Sequence, residues 1–373
     1  MDKILRNRTA IVGVGFTPMV RKTDRSLGSL ALEAARNAIT DAGLRPADID
    51  GYAGTPVAFN PSSAHSDGVD EVSGRYIVSS MGLKNVRWLA DLARGLMADA
   101  IVEAIHALHS GSCRYVLIVR AMHNPVGVRY QQTDLRAAGG PEQFNAPYGV
   151  QAIGRTAFWL NRYMHDYGAT KSELYQLAKT LRDHALLNPF AYWRKPLTEE
   201  EYLGARQIFE PMSVFDCDIP VTGAGAIVLT TAERATHLPH KPAFISAFAT
   251  GLEQPDAIYQ RSGIGPREVQ AAQLYDGFLP FVWYWLEAMG FCRKGEAHSF
   301  ALNGNVSLKG TLPVTTFGGS MGEGRLHGMG HVREAALQVM GRAAQRQVPG
   351  LTNCLVAIGF EWVPGGTFML SAG

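Results

Sequence analysis

An internal repeat constrains the fold of this chain more than any other feature. The segment GLRPADID at residues 43–50 precedes one strand-like run. The segment GIGPREVQ at residues 263–270 precedes another, with Gly, Pro and a β-branched residue at the same spacing. A helical segment followed by an apolar strand within residues 92–119 recurs within residues 332–359, so that about 220 to 240 residues separate the two copies. Such a period is too long for a solenoid. The pattern predicts one βαβ-rich unit, duplicated and fused, with a chance match of a few residues as the alternative.

Hydrophobic periodicity places secondary structure within the two predicted halves. Residues 26–42 carry apolar side chains at helical spacing, with Ser26 as an N-cap and Gly43 as a stop. The N-terminal half is expected to span residues 1–240, with a surface excursion over about residues 125–210, and the C-terminal half to span residues 241–373. Further helices are predicted at 92–109, 150–167, 172–185 and 332–343, strands at 9–14, 115–120, 224–230 and 354–359, and a polar surface segment at 188–208.

Composition excludes several classes of protein. The chain has 373 residues, of which 46% are apolar and 18% charged, so a large core is expected and disorder is not. A net charge of +2 gives no argument for nucleic-acid binding, and no run of about 18 apolar residues suggests a membrane span. The four Cys residues are scattered without a CxxC pair, which favours neither a zinc site nor a disulfide framework. A cytoplasmic location is the default expectation.

Seven segments along nearly the whole chain carry a family resemblance: AIVGVGFTP (10–18), DAGLRPADIDG (41–51), HDYGATKSEL (165–174), NPFAYWRKPLT (188–198), FDCDIPVTGAGAIVL (215–229), LYDGFLPF (274–281) and FGGSMGEGRLHGMGH (317–331). In order and content they resemble the thiolase domain of sterol carrier protein X and its bacterial lipid-transfer-protein relatives. The resemblance implies an α/β thiolase fold, in which two duplicated halves pack as a five-layer αβαβα sandwich. Fold alone does not fix function.

The residues at the positions that thiolases use for catalysis have all changed. The resemblance places Leu92 where thiolases carry the nucleophilic Cys at a helix N-terminus. Tyr275 stands in place of the His of an H-D-x-F motif, and Arg325 in place of the His of G-H-P. The C-terminal loop at residues 360–366 has no Cys and carries Glu361. The chain is therefore expected to handle an acyl-CoA thioester without forming an acyl-enzyme.

This pattern is similar to that of bacterial thiolase-like aldolases that cleave steroid side chains as CoA thioesters. Those enzymes are thought to use tyrosines and to work with an OB-fold partner that carries a zinc ribbon. Tyr275 matches the first tyrosine, and Leu326 stands where the second is expected. The resemblance implies a retro-aldol carbon–carbon lyase that acts on a β-hydroxyacyl-CoA. A thiolase-family acyltransferase and a non-catalytic lipid or acyl-CoA binding subunit are the alternatives.

The resulting hypothesis assigns roles to eight residues. Proton transfer is assigned to Tyr275 and His327, with Arg325 as the cation that makes the phenol a better base. Substrate-binding roles are assigned to Leu92, His123, Gly318, Gly319 and Glu361, including enolate stabilisation by amides at Gly318–Gly319 and at the helix N-terminus near Leu92.

Each of these assignments has a structural alternative. Tyr275 is otherwise a packing residue, Arg325 a salt-bridge partner of Glu323 or another acid, and His327 a hydrogen-bonded structural histidine. Without a third ligand, the pair His327 and His331 does not predict a metal site. No cofactor beyond the CoA of the substrate is expected, and a homodimer is.

Overall fold

The computed structural model describes residues 5–56, 72–92, 97–123, 144, 152–250, 257–360 and 363–373. The strands are β1 (Thr9–Phe16), β2 (Gly51–Gly54), β3 (Trp88–Asp91), β4 (Tyr115–Met122), β5 (Gln207–Phe209), β6 (Met212–Ser213), β7 (Gly223–Thr231), β8 (Ala243–Thr250), β9 (Ala272–Leu274), β10 (Asn353–Phe360) and β11 (Val363–Ser371). The helices are α1 (Leu27–Asp41), α2 (Gly74–Met81), α3 (Met97–His109), α4 (Ala152–Tyr167), α5 (Lys171–Leu186), α6 (Glu199–Leu203), α7 (Ala232–Ala235), α8 (Ala257–Ser262), α9 (Phe281–Ala288), α10 (Ala297–Phe300), α11 (Gly319–Gly322) and α12 (Met329–Met340).

The order of the strands confirms the predicted duplication. The large sheet runs β3-β2-β4-β7-β1-β8-β11-β10-β9, and the two halves meet where β1 and β8 pair antiparallel. Starting from that junction, the order β1-β7-β4-β2 in one half matches β8-β11-β10-β9 in the other. The strand directions also match, because β2–β4 and β9–β10 are parallel while the remaining matched pairs are antiparallel. The boundary between residues 240 and 241 stays a prediction.

Three hydrophobic clusters separate the layers. The central cluster packs α3 and α12 between the two half-sheets, with Ile11 and Ile118 from one half and Val356 from the other. An outer cluster packs α1 on the opposite face of the first half-sheet, where Val12 points. The other outer cluster packs α4, α5 and α9 on the far face of the second half-sheet, where Leu355 points. Because strand side chains alternate between faces, these clusters define five layers, as the resemblance implied.

The glycines of the first strand let a helix approach closely. A Cβ atom at Gly13 or Gly15 would stand 2.3 or 2.2 Å from a backbone carbonyl oxygen of α1. Any side chain there would push the helix off the sheet. The GVG motif of β1 therefore serves helix–sheet packing. Ser26 caps this helix as predicted, since its hydroxyl accepts a hydrogen bond from the Ser29 amide at 3.1 Å.

Two predicted elements differ from the structure. Leu92 is not helical: it follows β3, its amide donates to the Gly54 carbonyl, and the described helix begins at Met97. The segment predicted as a polar surface excursion at 188–208 is partly buried. Asn188 donates to Glu323 in the core, and the Tyr202 hydroxyl is buried against Asp216. Polar side chains with buried partners look like surface residues in a sequence. Among the described helices, none is long and apolar enough to cross a lipid bilayer.

Candidate active site

Four buried polar side chains from separate parts of the chain form one electrostatic cluster. Arg120 ends the apolar part of β4, Tyr275 follows β9, and Arg325 lies in the loop between α11 and α12. Asp218 lies in the segment that leads into β7. The charges of Asp218, Arg325 and Arg120 all act on the Tyr275 hydroxyl. The cluster therefore joins both halves of the fold around one phenol.

Tyr275 is fixed by its backbone. Its amide donates to the Ala357 carbonyl on β10 at 2.9 Å, and its ring lies so close to Gly277 that a Cβ there would stand 2.7 Å from it. Within the described part of the chain, its hydroxyl has no hydrogen-bond partner, which leaves it available to a ligand.

The environment of Tyr275 keeps its phenol neutral. Burial raises the pKa of Tyr275, and Asp218 raises it further, against the opposing effects of Arg325 and Arg120. At neutral pH the hydroxyl is therefore a hydrogen-bond donor. The expectation that Arg325 makes this phenol a base is not supported, because burial and a nearby carboxylate outweigh the two arginines.

His327 is held in one protonation form by Arg120. An Nη of Arg120 lies 3.0 Å from Nδ1 of His327, and burial, followed by the charge of Arg325, lowers the pKa of Arg120 to about 9. The guanidinium is thus still charged at pH 7, and a guanidinium only donates. Nδ1 must therefore accept, so the imidazole is neutral and carries its proton on Nε2. In this form His327 is a hydrogen-bond donor and not a general base.

The backbone conformation of His327 is also unusual, as is common for residues of functional sites. Its φ angle of 51° lies in the left-handed region, which a residue with a side chain rarely adopts. Its carbonyl accepts from the Met97 amide at 3.2 Å, at the beginning of the described α3, and Gly328 follows with a φ of 94°. The helix between the half-sheets thereby fixes the imidazole against Arg120.

Arg325 and Asp218 form a buried ion pair. Nε of Arg325 lies 3.6 Å from Oδ2 of Asp218, and both side chains are buried. The Arg325 amide donates to Ile219 at 3.2 Å, and the Asp218 amide donates to Gly277 at 3.3 Å. Pairing avoids the cost of an isolated buried charge, and these backbone bonds place the carboxylate next to the Tyr275 loop. The structural alternative for Arg325, a salt bridge to Glu323 or another acid, is met by Asp218, although the pair is buried and not at the surface.

The glycine loop that was predicted to bind the enolate instead binds a carboxylate of the protein. The Gly318 amide donates to the Thr315 carbonyl at 3.0 Å. A Cβ at Gly319 would stand 1.9 Å from Oδ2 of Asp276, and the Ser320 amide donates to Oδ1 of the same carboxylate at 2.9 Å. The close approach to Asp276 requires glycine at Gly319, whereas a Cβ at Gly318 would stand 2.5 Å from Ala185. The Gly318 amide already has Thr315 as its acceptor, and the assignment of Gly319 to the thioester oxygen stays a prediction.

The two histidines of the loop have different partners. Nε2 of His331 lies 3.0 Å from Asp276, whereas His327 contacts Arg120. The His331 ring also packs 5.5 Å from the Tyr275 ring, centroid to centroid. Among the residues that the structure describes, no group of three or more His, Cys, Asp or Glu side chains could hold a metal ion.

Two of the other predicted binding residues, Leu92 and His123, lie within the described part of the chain and have contacts outside the cluster around Tyr275. Leu92 is half-buried against the central cluster, and its amide is already bonded to Gly54. His123 lies at the end of β4, where its Nδ1 is 3.0 Å from the Thr222 hydroxyl. Glu361 lies outside the described residues. Leu326 is buried in the central cluster, so no hydroxyl exists where the resemblance places a second tyrosine.

No cysteine of the chain is activated. Burial raises the pKa of Cys113, Cys292 and Cys354 to about 12, and that of Cys217 well above its usual value. A thiolate is the form that attacks a thioester, so none of the four is a nucleophile at neutral pH. This agrees with the prediction made from Leu92.

Two residues of the cluster were missed by sequence analysis. Arg120 was assigned only as the end of a strand, and Asp218 only as a neighbour of Cys217. Each is a charged residue directly after or within a buried run, YVLIVR at 115–120 and FDCDIPV at 215–221. A charge in such a position is rare unless it is paired or functional, and that signal could have found them.

A small cavity leads from the cluster towards the surface. It has a volume of about 70 Å³, and its lining includes Asp218, Cys217, Met321, Arg182 and Trp193. The Arg182 guanidinium lies 4.8 Å from the Trp193 ring centroid. A cationic and aromatic wall of this kind suits a phosphate and a flat base.

Comparison with known proteins agrees with this geometry. Residues 245–369 match the thiolase C-terminal domain-like family. A steroid side-chain-cleaving aldolase of Thermomonospora curvata is 33% identical over 99% of each chain. The 17-hydroxy-3-oxo-4-pregnene-20-carboxyl-CoA lyase of Mycobacterium tuberculosis is 32% identical over 95% of this chain and 97% of its own.

A solved structure of the Ltp2-ChsH2(DUF35) aldolase has a TM-score of 0.87 and 32% identity, and the match covers 99% of this chain and 98% of that one. The fold and the family expected from the sequence are confirmed, and the relatives are the carbon–carbon lyases that the resemblance implied. This chain belongs to the thiolase superfamily, in the sterol-carrier-protein-like branch that includes the steroid side-chain-cleaving aldolases.

Proposed function

We propose that this protein is a retro-aldol lyase that cleaves the Cα–Cβ bond of a β-hydroxyacyl-CoA. The observation that carries the proposal is the pairing of two neutral donors, Tyr275 and His327, with a buried carboxylate, Asp218, in a site that has no activated thiol. A retro-aldol step needs a base for the β-hydroxyl and donors for the enolate oxygen, and no nucleophile.

The proton follows a closed path in this proposal. Asp218 accepts the proton of the β-hydroxyl as the Cα–Cβ bond breaks, which releases a ketone or aldehyde. The electron pair of that bond becomes the enolate of the remaining thioester. Donation from the Tyr275 hydroxyl and from Nε2–H of His327 stabilises the enolate oxygen. The proton on Asp218 then returns to Cα, directly or through Tyr275, so that no cofactor is consumed.

His327 supplies the hydrogen-bond donor that the resemblance assigns to a second tyrosine, at the position where this chain has Leu326. Leu326 has no polar group and is buried, whereas the next residue presents a fixed Nε2–H. A neutral imidazole is a suitable electrophile for a thioester oxygen because it donates without being deprotonated by the substrate. Arg120 and Arg325 add positive charge nearby, which favours the developing enolate over the neutral thioester.

The substrate class follows from the relatives and from the cavity. Both named relatives act on steroid side chains, and we propose a steroid-type β-hydroxyacyl-CoA for this chain. We place the CoA near the cavity at Arg182 and Trp193, which give its wall a cationic and an aromatic group. A partner protein is part of the proposal, because the similar solved structure is named as a two-component aldolase. The OB fold and zinc ribbon of that partner, and a homodimer, are carried over from the family resemblance alone.

The proposal is tested by incubating the protein, with its copurified partner, with 17-hydroxy-3-oxo-4-pregnene-20-carboxyl-CoA. Mass spectrometry should detect the steroid ketone and the shortened acyl-CoA in equal amounts. Asp218→Asn should abolish both products, while Asp24→Asn, an exposed carboxylate distant in sequence, should not. Release of free CoA from acetyl-CoA without a carbonyl product would indicate an acyltransferase and would reject the lyase.

A further inference from the structure

A buried ion pair encloses the loop that carries Arg325 and His327. Glu323 directly follows α11, and Arg333 lies in the second turn of α12. Nη1 of Arg333 donates to Oε1 of Glu323 at 3.1 Å, and Nη2 donates to Oε2 at 2.5 Å, so the pair is bidentate and has a fixed geometry. Both side chains are buried. Residues 324–332 therefore begin and end at one rigid contact.

Asn188 joins this ion pair from outside the loop. Its side-chain amide donates to Oε2 of Glu323 at 2.6 Å and to the Phe317 carbonyl at 3.0 Å. The Arg333 guanidinium lies over the Phe16 ring, 4.2 Å from its centroid, in a cation–π contact. Because both charged groups are held from several sides, they have little freedom to move. We call Asn188, Glu323 and Arg333 the loop clamp.

The loop inside the clamp has a backbone that most residues avoid. Gly324, His327 and Gly328 have φ angles of 117°, 51° and 94°. A residue with a side chain keeps such a conformation only where the surrounding structure fixes it from more than one side. The imidazole that this conformation presents contacts Arg120 through Nδ1, and the donor at Nε2 depends on that bond. The contacts that fix the loop therefore also fix the donor.

We propose that the loop clamp is a positioning element of the active site, which holds Arg325 and His327 in place without touching the substrate. This inference rests on the proposed function, in which His327 donates to the enolate oxygen. The opposite charges of Glu323 and Arg333 pair with each other, so the contribution of the clamp is geometric. A displacement of about 1 Å at a catalytic group can lower a rate about 10²-fold. A clamp that served only folding would leave the rate unchanged when it is replaced.

The test removes the clamp while it preserves the core. In the double variant Glu323→Leu/Arg333→Met, apolar side chains of similar volume replace the buried ion pair, a change that folding commonly tolerates. Asn188 keeps the Phe317 carbonyl as its acceptor. We expect cooperative urea denaturation like that of the parent, kcat lowered about 10-fold to 10²-fold, and KM within about twofold of the parent.

The control is another bidentate ion pair, beyond the other end of α12. Nη1 and Nη2 of Arg342 donate to the carboxylate of Asp41 at 3.2 and 2.5 Å, close to the distances in the clamp. The variant Asp41→Asn/Arg342→Met removes that pair, while the new amide oxygen still offers an acceptor to the Val14 amide. Its kcat should equal that of the parent, because this pair encloses no loop of the active site.

A readout that needs no substrate separates this inference from the proposed function. ¹⁵N NMR of the His327 imidazole should show a proton on Nε2 in the parent and the control, and a mixture of tautomers in the clamp variant. If the clamp variant fails to fold by circular dichroism, Glu323→Gln, which keeps the shape of the side chain and one acceptor for Arg333, should change the spectrum in the same way.

An unchanged His327 spectrum in the folded clamp variant, or in Glu323→Gln where that variant replaces it, would overturn the inference. So would an unchanged kcat in a protein whose parent cleaves the CoA ester. A changed spectrum in a protein whose parent cleaves no CoA ester would retain the clamp and reject the lyase.

Discussion

Replacing Arg120 by Met should separate the stability of the fold from the chemistry of the site. Burial, with a smaller effect of Arg325, lowers the pKa of Arg120 from 12.5 to about 9. At about 1.36 kcal/mol for each pH unit, the charged guanidinium costs the fold on the order of 5 kcal/mol. The folded-state pKa is below the unfolded one, so this cost is complete below about pH 9 and fades as the pH rises towards 12.5.

The substitution also removes two hydrogen bonds. The Thr55 carbonyl and Nδ1 of His327 both accept from Arg120. A buried acceptor left without a donor costs about 1–3 kcal/mol, so the two together cost about 2–6 kcal/mol. The net change in the free energy of unfolding therefore lies between a loss of about 1 kcal/mol and a gain of about 3 kcal/mol. Most substitutions of a buried charged residue lose more than this.

Catalytic activity should fall strongly, although the stability of the fold changes little. Without Arg120, the proton of the neutral imidazole is free to move to Nδ1, and His327 then no longer presents a donor at Nε2. Loss of one donor to a developing oxyanion lowers kcat about 10²–10³-fold. KM should change little, because the donor acts on the enolate more than on the thioester.

Three measurements check this reasoning. Urea denaturation gives the unfolding free energy, steady-state kinetics give kcat and KM, and ¹⁵N NMR of histidine, with His327→Ala for assignment, gives the tautomer. Arg45→Met is the control, because Arg45 is exposed and its ion pair among the described residues is with the neighbouring Asp48. A decrease of more than about 3 kcal/mol in the unfolding free energy of Arg120→Met would show that other interactions of the fold compensate the buried charge of Arg120. A protonated Nδ1 in the parent protein would refute the assigned role of His327.

Four further predictions concern the environments of Tyr275, the cysteines and His184. Tyr275→Phe should lower kcat about 10²–10⁴-fold with little change in substrate binding, and activity within threefold of the parent would make Tyr275 a packing residue. Because burial raises the pKa of Tyr275, we expect no loss of kcat from this phenol up to about pH 9, which a pH–rate profile checks. Iodoacetamide should leave activity largely intact, and intact-mass spectrometry after mixing with acyl-CoA should show no adduct, because all four thiols have a raised pKa. Burial lowers the pKa of His184 to about 4, below its unfolded value of 6.5, so stability should fall by about 3 kcal/mol as the pH drops from about 6.5 to about 4. Urea denaturation across that range should show a smaller fall in His184→Asn, and an equal fall would place the pH dependence elsewhere.

The predicted halves and most elements follow from local pattern. The apolar runs of β1, β4, β7 and β10, and the helical spacing of α1, are visible in the sequence because burial selects side chains with the period of each element. The helix predicted to begin at Leu92 was wrong at its N-terminus, because Leu92 directly follows the strand β3 without being helical and the described helix begins at Met97. Helical spacing and a short half-buried strand are hard to distinguish over a few residues.

The features of the candidate site also fall into those that the sequence indicated and those that it did not. The sequence by itself determined that the thiolase nucleophile is absent, that Tyr275, Arg325 and His327 lie in loops after buried elements, and that the chain repeats one α/β unit. It did not indicate that Arg120, 207 residues before His327, sets the tautomer of that histidine. Nor did it show that the amides of Ser320 and Met321 donate to Asp276, which lies close to Gly319.

Only the tertiary structure decided these points, because a hydrogen bond between distant residues and the burial of a charge depend on how the two half-sheets pack around α3 and α12. Residue type limits what a side chain can donate or accept, and that limit is local. Which partner it meets, and hence whether a phenol is an acid or a base, is set by the fold.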